Sequence, residues 1–323
     1  MKNIGFIGLG VMATRMISNV STYGGFRAAA GWDPCPAARD RAVQINPDLM
    51  IMDSPEAIIG DPKIDGIYIA SPPETHAEYA IAVIRLGKPV LSEKPLGVDL
   101  AKSHKLVDLA RDAGTGHAVN FTFATAPAVE EITNLLKDGS VGEVASVDID
   151  LHFCKWPRDW QVSAAWLCHR KQGGFVRETF SHYAYLTEKL FGPVDLIRAV
   201  TRYPEGQYTA ETHALALMNC GGIPVTFSGG TGGLNANGAD RVEFTVWGSK
   251  AVCRLYDWNR LRSNEGNGWV EHLSGINDTR QAGYERQVKA IGAFFDGKDN
   301  PLPDFHAALR VQNLVESILV ECP

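Results

Sequence analysis

The chain lacks the features that mark secreted, membrane-spanning or nucleic-acid-binding proteins. Its six cysteines, Cys35, Cys154, Cys168, Cys220, Cys253 and Cys322, show no CxxC spacing and no Cys/His cluster. This argues against a zinc site and predicts reduced, mostly buried thiols. No apolar run reaches the roughly 18 residues of a membrane helix. No run of Lys and Arg offsets the formal net charge of −6, so a nucleic-acid partner is not expected. The opening MKNIGFIGLG has one Lys and no cleavage site, and it reads as a first strand rather than a signal peptide. Repeats and long low-complexity linkers are missing too. His152, His169 and His213 stand without matching Asp, Cys or His clusters, so no metal is expected. What remains is a cytoplasmic globular protein. Its 323 residues, 45% hydrophobic and 21% charged, suffice for two domains with real cores.

The first ~120 residues alternate short apolar runs with amphipathic stretches, the pattern of βαβ units on a parallel sheet. Strands are expected at Ile4–Ile7, Phe26–Trp32, Ile64–Ala70, Pro89–Ser92 and His117–Phe121. Helices are expected at Val11–Val20, at His76–Leu86 before Gly87, and from Asp99 to Gly114. Beyond residue 121 the character changes. A helix over Pro127–Lys137 precedes a run of alternating strands: VASVDIDLHF, LIRAVTRY, HALALMN, IPVTFSG, RVEFTVWG and AVCRLYDW. One helix interrupts them at Glu178–Phe191, and two close the chain at Ala282–Phe295 and Phe305–Glu321. The Gly-rich stretch Gly229–Asn237 reads as a mobile loop. The expected architecture is therefore a doubly wound parallel Rossmann sheet over residues 1–120. An α+β domain with a large, mostly antiparallel open sheet follows over 121–323, and the C-terminal helix is free to pack back on the first domain.

The first strand runs into Gly8-Leu9-Gly10-Val11-Met12-Ala13, a GxGxxA form of the dinucleotide fingerprint. Gly8 permits the tight turn, Gly10 lets the backbone approach a pyrophosphate, and Ala13 lets the helix pack on the strand. The helix start offers unpaired N–H groups and a partial positive charge to phosphate. Asp33 ends the second strand, 23 residues beyond Gly10, close to the ~20 of the fingerprint. A carboxylate there accepts from a ribose diol and repels a 2′-phosphate, which favours NAD. Arg39 and Arg41 leave NADP open.

Three further motifs follow: Ser71-Pro72-Pro73-Glu74-Thr75-His76, then Gly87-Lys88-Pro89-Val90-Leu91-Ser92-Glu93-Lys94-Pro95-Leu96, then Gly173-Gly174 with Glu178 and His182. Their order resembles the glucose-fructose oxidoreductase / inositol dehydrogenase / MocA family, with its TPxxxH, GKHVxxEKPxA and GGxxxDxxxH segments. The resemblance implies a nicotinamide-dependent oxidoreductase acting on a secondary alcohol or its carbonyl. The substrate would be a sugar, polyol or related small polar molecule, and the protein a homodimer or homotetramer. Residue by residue, it implies Lys94 and His182 as the proton-handling pair, with Glu178 orienting. Leu9, Val11, Met12, Ser71, Pro72, His76, Glu93 and Lys94 would join Gly8, Gly10 and Asp33 around the cofactor.

The residues make chemical sense on their own terms. Ser71, Glu93 and Lys94 fall at C-terminal ends of parallel strands, where doubly wound sheets place ligands. An ammonium polarises a carbonyl, and an imidazole titrates near neutrality. Glu178 and His182, four apart, share a helix face. The plainer alternatives are a surface lysine before a turn proline and a core histidine bonded to a carbonyl. The chain also departs from the family pattern. Glu178 replaces an Asp, Phe180 a Gly and Tyr185 an Asp, and Ala124-Thr125 replace an Arg-Phe pair. A segment with Trp156, Trp160 and Trp166, and with Arg158 and Arg170, precedes the Gly-Gly. It suits either sugar binding or interface packing, and Arg170 and Arg177 are the candidate substrate contacts. Two rival readings stand: a β-hydroxyacid dehydrogenase, whose second half would be mostly helical, and a nucleotide-sensing regulator without turnover.

Overall fold

The computed structural model describes residues 1–162, 164–206, 208–233 and 240–320. The chain divides into two compact units. Met1–Ala124 with Tyr284–Gln312 form the first, and Thr125–Gly283 with Asn313–Pro323 the second.

The first unit runs β1 (Asn3–Ile7), α1 (Val11–Tyr23), β2 (Arg27–Trp32), α2 (Pro36–Ile45), β3 (Met50–Ile51), α3 (Pro55–Gly60), β4 (Gly66–Ile69), α4 (His76–Arg85), β5 (Val90–Glu93), α5 (Leu100–Ala113) and β6 (His117–Asn120). The strands pair in parallel in the order β3-β2-β1-β4-β5-β6. The chain leaves β1 toward β2 on one side and returns at β4 on the other. This switch point opens a crevice at the C-terminal ends of those strands. Every residue of β4 and β5 is buried, so β4 reads as a continuous apolar run, whereas β5 ends on the buried polar residues Ser92 and Glu93. The core joins Ile4 and Phe6 of β1 to Ala13, Met16, Ile17 and Val20 of α1 and to Val288, Ile291 and Phe294.

Three elements here escaped the sequence reading. β3 has two residues, one of them exposed, and α3 has six. α2 buries only Ala38 and Ala42. None of them carries an apolar stripe long enough to define a period.

The second unit holds α6 (Pro127–Lys137), β7 (Val144–Phe153), α7 (Ser181–Phe191), β8 (Val194–Arg202), β9 (His213–Cys220), β10 (Ile223–Thr231), β11 (Arg241–Gly248), β12 (Val252–Tyr256), β13 (Arg260–Asn264) and β14 (Val270–Glu271). Helices α8 (Thr279–Phe295) and α9 (Phe305–Leu319) follow. The strands form one eight-stranded sheet, β14-β13-β12-β11-β7-β10-β9-β8, in which only β7 and β10 pair in parallel. This sheet stands where a β-hydroxyacid dehydrogenase would be mostly helical, which removes that rival.

One face of the sheet is covered. Along β9, Ala214, Ala216, Met218 and Cys220 are buried while Leu215 and Leu217 are exposed. On the covered face Phe180 stacks on Phe227 with ring centroids 4.1 Å apart, and Tyr183 of α7 lies 6.3 Å from Phe244.

Three expectations are corrected. Gly229–Thr231 belong to β10 rather than a loop, because the small residues complete the ladder to β7 and β9; Leu234–Asn237 lie outside the described residues. The cysteines are not mostly buried: Cys35 and Cys168 are exposed and Cys154 is half-buried, while Cys220 and Cys253 are buried. Cys35 caps α2 and Cys168 ends a short 3-10 helix, so neither lies on a covered strand face; Cys322 is outside the described residues. The helix expected from Glu178 instead starts with a widened π turn over Val176–Phe180 and continues as α7, with the Ser181 N–H reaching back to the Val176 carbonyl. Among the described residues no helix is long and apolar enough to cross a membrane, and no group of three or more His, Cys, Asp or Glu side chains could hold a metal ion.

Candidate active site

In the first unit the site begins with backbone. Gly8 has φ +89°, and a Cβ there would sit 2.6 Å from the Ala70 carbonyl and the Ser71 nitrogen. Glycine is therefore required by the close approach of β1 to the end of β4. Gly10 is different. Its φ of −70° suits any residue, and among the described residues, its two chain neighbours aside, no atom lies within 4 Å of a Cβ built on it. Nothing among the described residues calls for glycine at this position, whereas a pyrophosphate approaching the backbone would. Gly10 caps α1, the helix of Val11 and Met12. Its first turn has no acidic residue, and no side chain caps its N–H groups. The cradle thus fits a dinucleotide phosphate.

Asp33, just past β2, holds this loop in shape. Its Oδ2 accepts from the Leu9 N–H at 2.7 Å and its Oδ1 from the Cys35 N–H at 2.8 Å. Each oxygen keeps a second lone pair, so the carboxylate can still accept from a ribose hydroxyl.

The ends of β4 and β5 are tied by His76. Its Nδ1 lies 2.8 Å from the Pro95 carbonyl and its Nε2 2.8 Å from the Ser71 carbonyl. Burial lowers the imidazole pKa, the two carbonyls oppose that, and the Lys94 charge lowers it further. The ring lies between the Ser71 turn and the Lys94-Pro95 segment, and a neutral imidazole, with one N–H, donates to one of the two carbonyls at a time. His76, expected as a cofactor contact, is thus placed between two turns at the strand ends. Ser71 Oγ pairs with Thr75 Oγ1 at 2.7 Å, and Pro72 beside it is exposed.

Glu93 is buried and also engaged. Its Oε1 accepts from the Tyr68 hydroxyl and, at 2.8 Å, from Asn120 Nδ2; Gln287 donates in turn to Asn120 Oδ1 at 2.7 Å. Burial, and then the Glu93 charge, raise the Tyr68 pKa well above its ordinary value, so the phenol stays protonated and donates. This network fixes the last residue of β5, and Lys94, itself buried, follows it directly.

In the second unit, Glu178 lies in the π turn and His182 in the first turn of α7. Gly173 and Gly174 lead into this element. A Cβ at Gly173 would meet the Trp166 carbonyl at 2.4 Å, and one at Gly174 (φ +97°) would meet Glu211 at 2.1 Å. Glu211 Oε1 accepts from the Val176 N–H at 2.8 Å. Burial pushes the Glu211 carboxyl up to about 7, against the lowering effect of that N–H.

His182 is buried, with the Trp258 ring edge-on at 6.5 Å. Trp258 sits in the hairpin between β12 and β13 at φ 70°, after Asp257 at φ 46°. Two consecutive non-glycine residues in the left-handed region cost on the order of 1–3 kcal/mol each, and the turn they form carries the indole to His182 and Tyr183. The Glu178 carboxylate accepts from Gln161 Nε2 at 3.1 Å.

Arg177, expected as a substrate contact, is engaged within the protein. Its Nε and Nη2 each donate to Glu316 at 2.7 Å, and its Nη1 donates to the carbonyls of Arg170 and Gly173 at 2.7 and 3.1 Å. Burial alone would lower its pKa; the hydrogen bonds and charge of Glu316 outweigh this and raise it. The guanidinium ties α9 to the Gly-Gly turn. Arg170 stacks on Tyr203, its Cζ 3.7 Å from the ring centroid.

Gln161, Trp258 and Glu211 were missed by the sequence reading. The clustering of Trp and Arg around 156–170 was the available signal for Gln161.

Comparison with known proteins places this geometry. Residues 2–121 match the family model described as an oxidoreductase family, NAD-binding Rossmann fold, and residues 133–319 match its C-terminal alpha/beta domain. The chain is similar to a 1,5-anhydro-D-fructose reductase of Ensifer adhaerens, 36% identical over 89 residues, or 28% of this chain and 27% of that protein. It is similar to inositol 2-dehydrogenase 2 of Saccharopolyspora erythraea, 32% identical over 142 residues, or 43% and 42% of the two chains. The matches therefore span less than half the length of these relatives. The crystal structure of a 3-ketoreductase from Actinomadura kijaniata, in complex with NADP and TDP-benzene, aligns with a TM-score of 0.83 at 18% identity over 98% of this chain and 96% of that one. At that identity the likeness establishes the fold.

Proposed function

The chain belongs to the glucose-fructose oxidoreductase / inositol dehydrogenase / MocA family of oxidoreductases, and from that premise we propose that it transfers a hydride between a nicotinamide dinucleotide and a secondary alcohol or its carbonyl on a sugar, polyol or related small polar molecule. The observation that carries this reading is the arrangement at the strand ends of the first unit. The open N-terminus of α1 behind Gly8 and Gly10, the carboxylate of Asp33 and the lysine after β5 all lie at the C-terminal edge of one parallel sheet. The names of the two curated relatives support the substrate class.

When bound, the nicotinamide supplies the two-electron acceptor or donor. In this reading Gly8, Leu9, Gly10, Val11 and Met12 hold the pyrophosphate, and Asp33 accepts from the adenosine ribose, which favours NAD over NADP. The Lys94 ammonium orients the reacting hydroxyl or polarises the carbonyl. The His182 imidazole takes the hydroxyl proton during oxidation and returns it during reduction. Glu178, held by Gln161, sets the charge beside that imidazole. Self-association belongs to the same reading, through the open face of the eight-stranded sheet where Val200 pairs with Leu215 and both are exposed. A single protomer mass in light scattering would remove that part.

The test is reduction of NAD+ and NADP+ against a panel of aldoses, inositols and diols. Lys94→Ala and His182→Ala are each expected to lower turnover by at least ~100-fold while the dinucleotide still binds. Near-normal rates in either variant would refute the assignment. Tight dinucleotide binding without turnover on any panel member would favour a sensor.

A further inference from the structure

We propose that Ser263, His272 and Glu131 form a second reactive site, a nucleophile–base–carboxylate relay that hydrolyses carboxylic esters with good leaving groups. None of the three takes part in the proposed hydride transfer, so the two readings can fail independently.

The three side chains belong to the second unit and come from three segments: Glu131 from α6, Ser263 from β13 and His272 from just after β14. Ser263 Oγ lies 2.9 Å from His272 Nε2, and His272 Nδ1 lies 3.2 Å from Glu131 Oε1. A carboxylate only accepts, so Nδ1 carries the proton. In the neutral ring Nε2 is then bare and accepts from the Ser263 hydroxyl. This polarity makes a serine nucleophilic. The ring can take the hydroxyl proton as Oγ attacks, and the carboxylate stabilises the imidazolium that forms.

The backbone aims these groups. Ser263 stands between Cys253 of β12 and Val270 of β14 in the ladder. The His272 N–H donates to the Leu261 carbonyl at 2.8 Å, and Leu273 after it lies in the left-handed region at φ 63°. A leucine held there costs on the order of 1–3 kcal/mol, and such strain collects where side chains must be aimed.

The relay is also within reach of solvent. The His272 and Glu131 side chains are 17% and 33% exposed. Ser263 is half-buried, and Val270 opposite it is exposed. A carboxylate–imidazole pair this close to water adds little to stability, whereas a nucleophile has to be reachable. Val270 offers a short acyl chain an apolar surface.

Water is the co-reactant. Oγ bonds to the ester carbonyl carbon as its proton passes to Nε2. The bond to the leaving oxygen then breaks, and that oxygen takes the proton. Water adds to the acyl group and gives a proton to Nε2; the acid departs, and Oγ takes the proton back. The three side chains supply nucleophile and base but no donor to the oxyanion. The matching class is therefore short-chain esters of phenols and other stable leaving groups.

The probes are p-nitrophenyl acetate for turnover and an alkyl fluorophosphonate, which activated serines attack with loss of fluoride, for labelling. In the wild-type protein, with or without NAD+, the phosphonate should add to Ser263, as read by peptide mass spectrometry, and should block ester hydrolysis in proportion. This arm needs no variant to fold. Ser263→Ala and His272→Gln should each lower hydrolysis at least ~100-fold. Glu131→Gln should lower it about 10-fold or more, and Glu131→Asp should recover part of that, with melting temperatures reporting that each variant is folded. The proposal is overturned if the wild type gives no adduct on Ser263, or if Ser263→Ala hydrolyses the ester at the wild-type rate. Ester hydrolysis retained by Lys94→Ala would support a site distinct from that of hydride transfer, and its loss there with labelling abolished would overturn it.

Discussion

The two units build their parts of the chemistry from different materials. In the first, the candidate site is largely backbone at strand ends: a left-handed glycine, an open helix start, and a carboxylate that grips the loop through the Leu9 and Cys35 N–H groups. In the second, it is side chains delivered by separate elements. Glu178 comes from a π turn, Gln161 from a short 3-10 helix and Trp258 from a strained hairpin. A site made of backbone geometry has to be written locally. A site made of converging side chains does not, and its members can be told apart only by their partners.

The sharpest way to break this comparison is at Arg177. If it is structural, Arg177→Met should cost about 3–5 kcal/mol, because it strands a largely buried Glu316 charge. Arg177→Met combined with Glu316→Leu should recover most of that loss, as read by urea unfolding. A loss for the single variant within experimental error would return Arg177 to the substrate contacts.

Glu211, beneath the Gly-Gly turn, is expected to show next. Its folded pKa of about 7 lies above the ordinary carboxylate value, so the folded state holds the proton more tightly. Stability should therefore be highest below pH 4.5 as far as this group is concerned. It should fall as pH rises toward 7 and level off above, by on the order of 3 kcal/mol in all. Glu211→Gln keeps an acceptor for the Val176 N–H and should remove this dependence, so that melts at pH 5 and pH 8 differ less than in the wild type. An unchanged pH dependence would contradict the assignment.

The smallest effects on stability sharpen the first unit. Gly8→Ala should cost roughly 2–3 kcal/mol from left-handed strain and the clash with Ala70. Gly10→Ala should leave stability within about 1 kcal/mol and yet weaken NADH binding about 10-fold or more, since each tenfold corresponds to about 1.4 kcal/mol. Equal behaviour of the two variants, in melts and in fluorescence titration, would erase the distinction between a glycine needed by the fold and one needed by the ligand.

Legibility followed the same divide. The Rossmann strands were readable because burial on both faces leaves unbroken apolar runs. The large sheet was readable because one covered face leaves alternation, as along β9. Gly8, Gly10 and Asp33 could be singled out from spacing alone. The bonding of Glu93 could not, because Tyr68 and Asn120 reach it from β4 and β6, and Gln287 of α8 in turn reaches Asn120. Nor could the surroundings of Arg170 and Arg177, which lie seven residues apart and share the same chemistry until their partners are known.

The amino-acid order by itself determined the two architectures, the dinucleotide fingerprint and the family, since each depends on periodicity or on neighbours a few residues apart. Only the tertiary structure decided what surrounds each charge. Glu316 and two carbonyls stand around the Arg177 guanidinium, and the Tyr203 ring lies against that of Arg170. Those surroundings come from segments up to about 140 residues away in the chain, a separation over which local pattern carries no information.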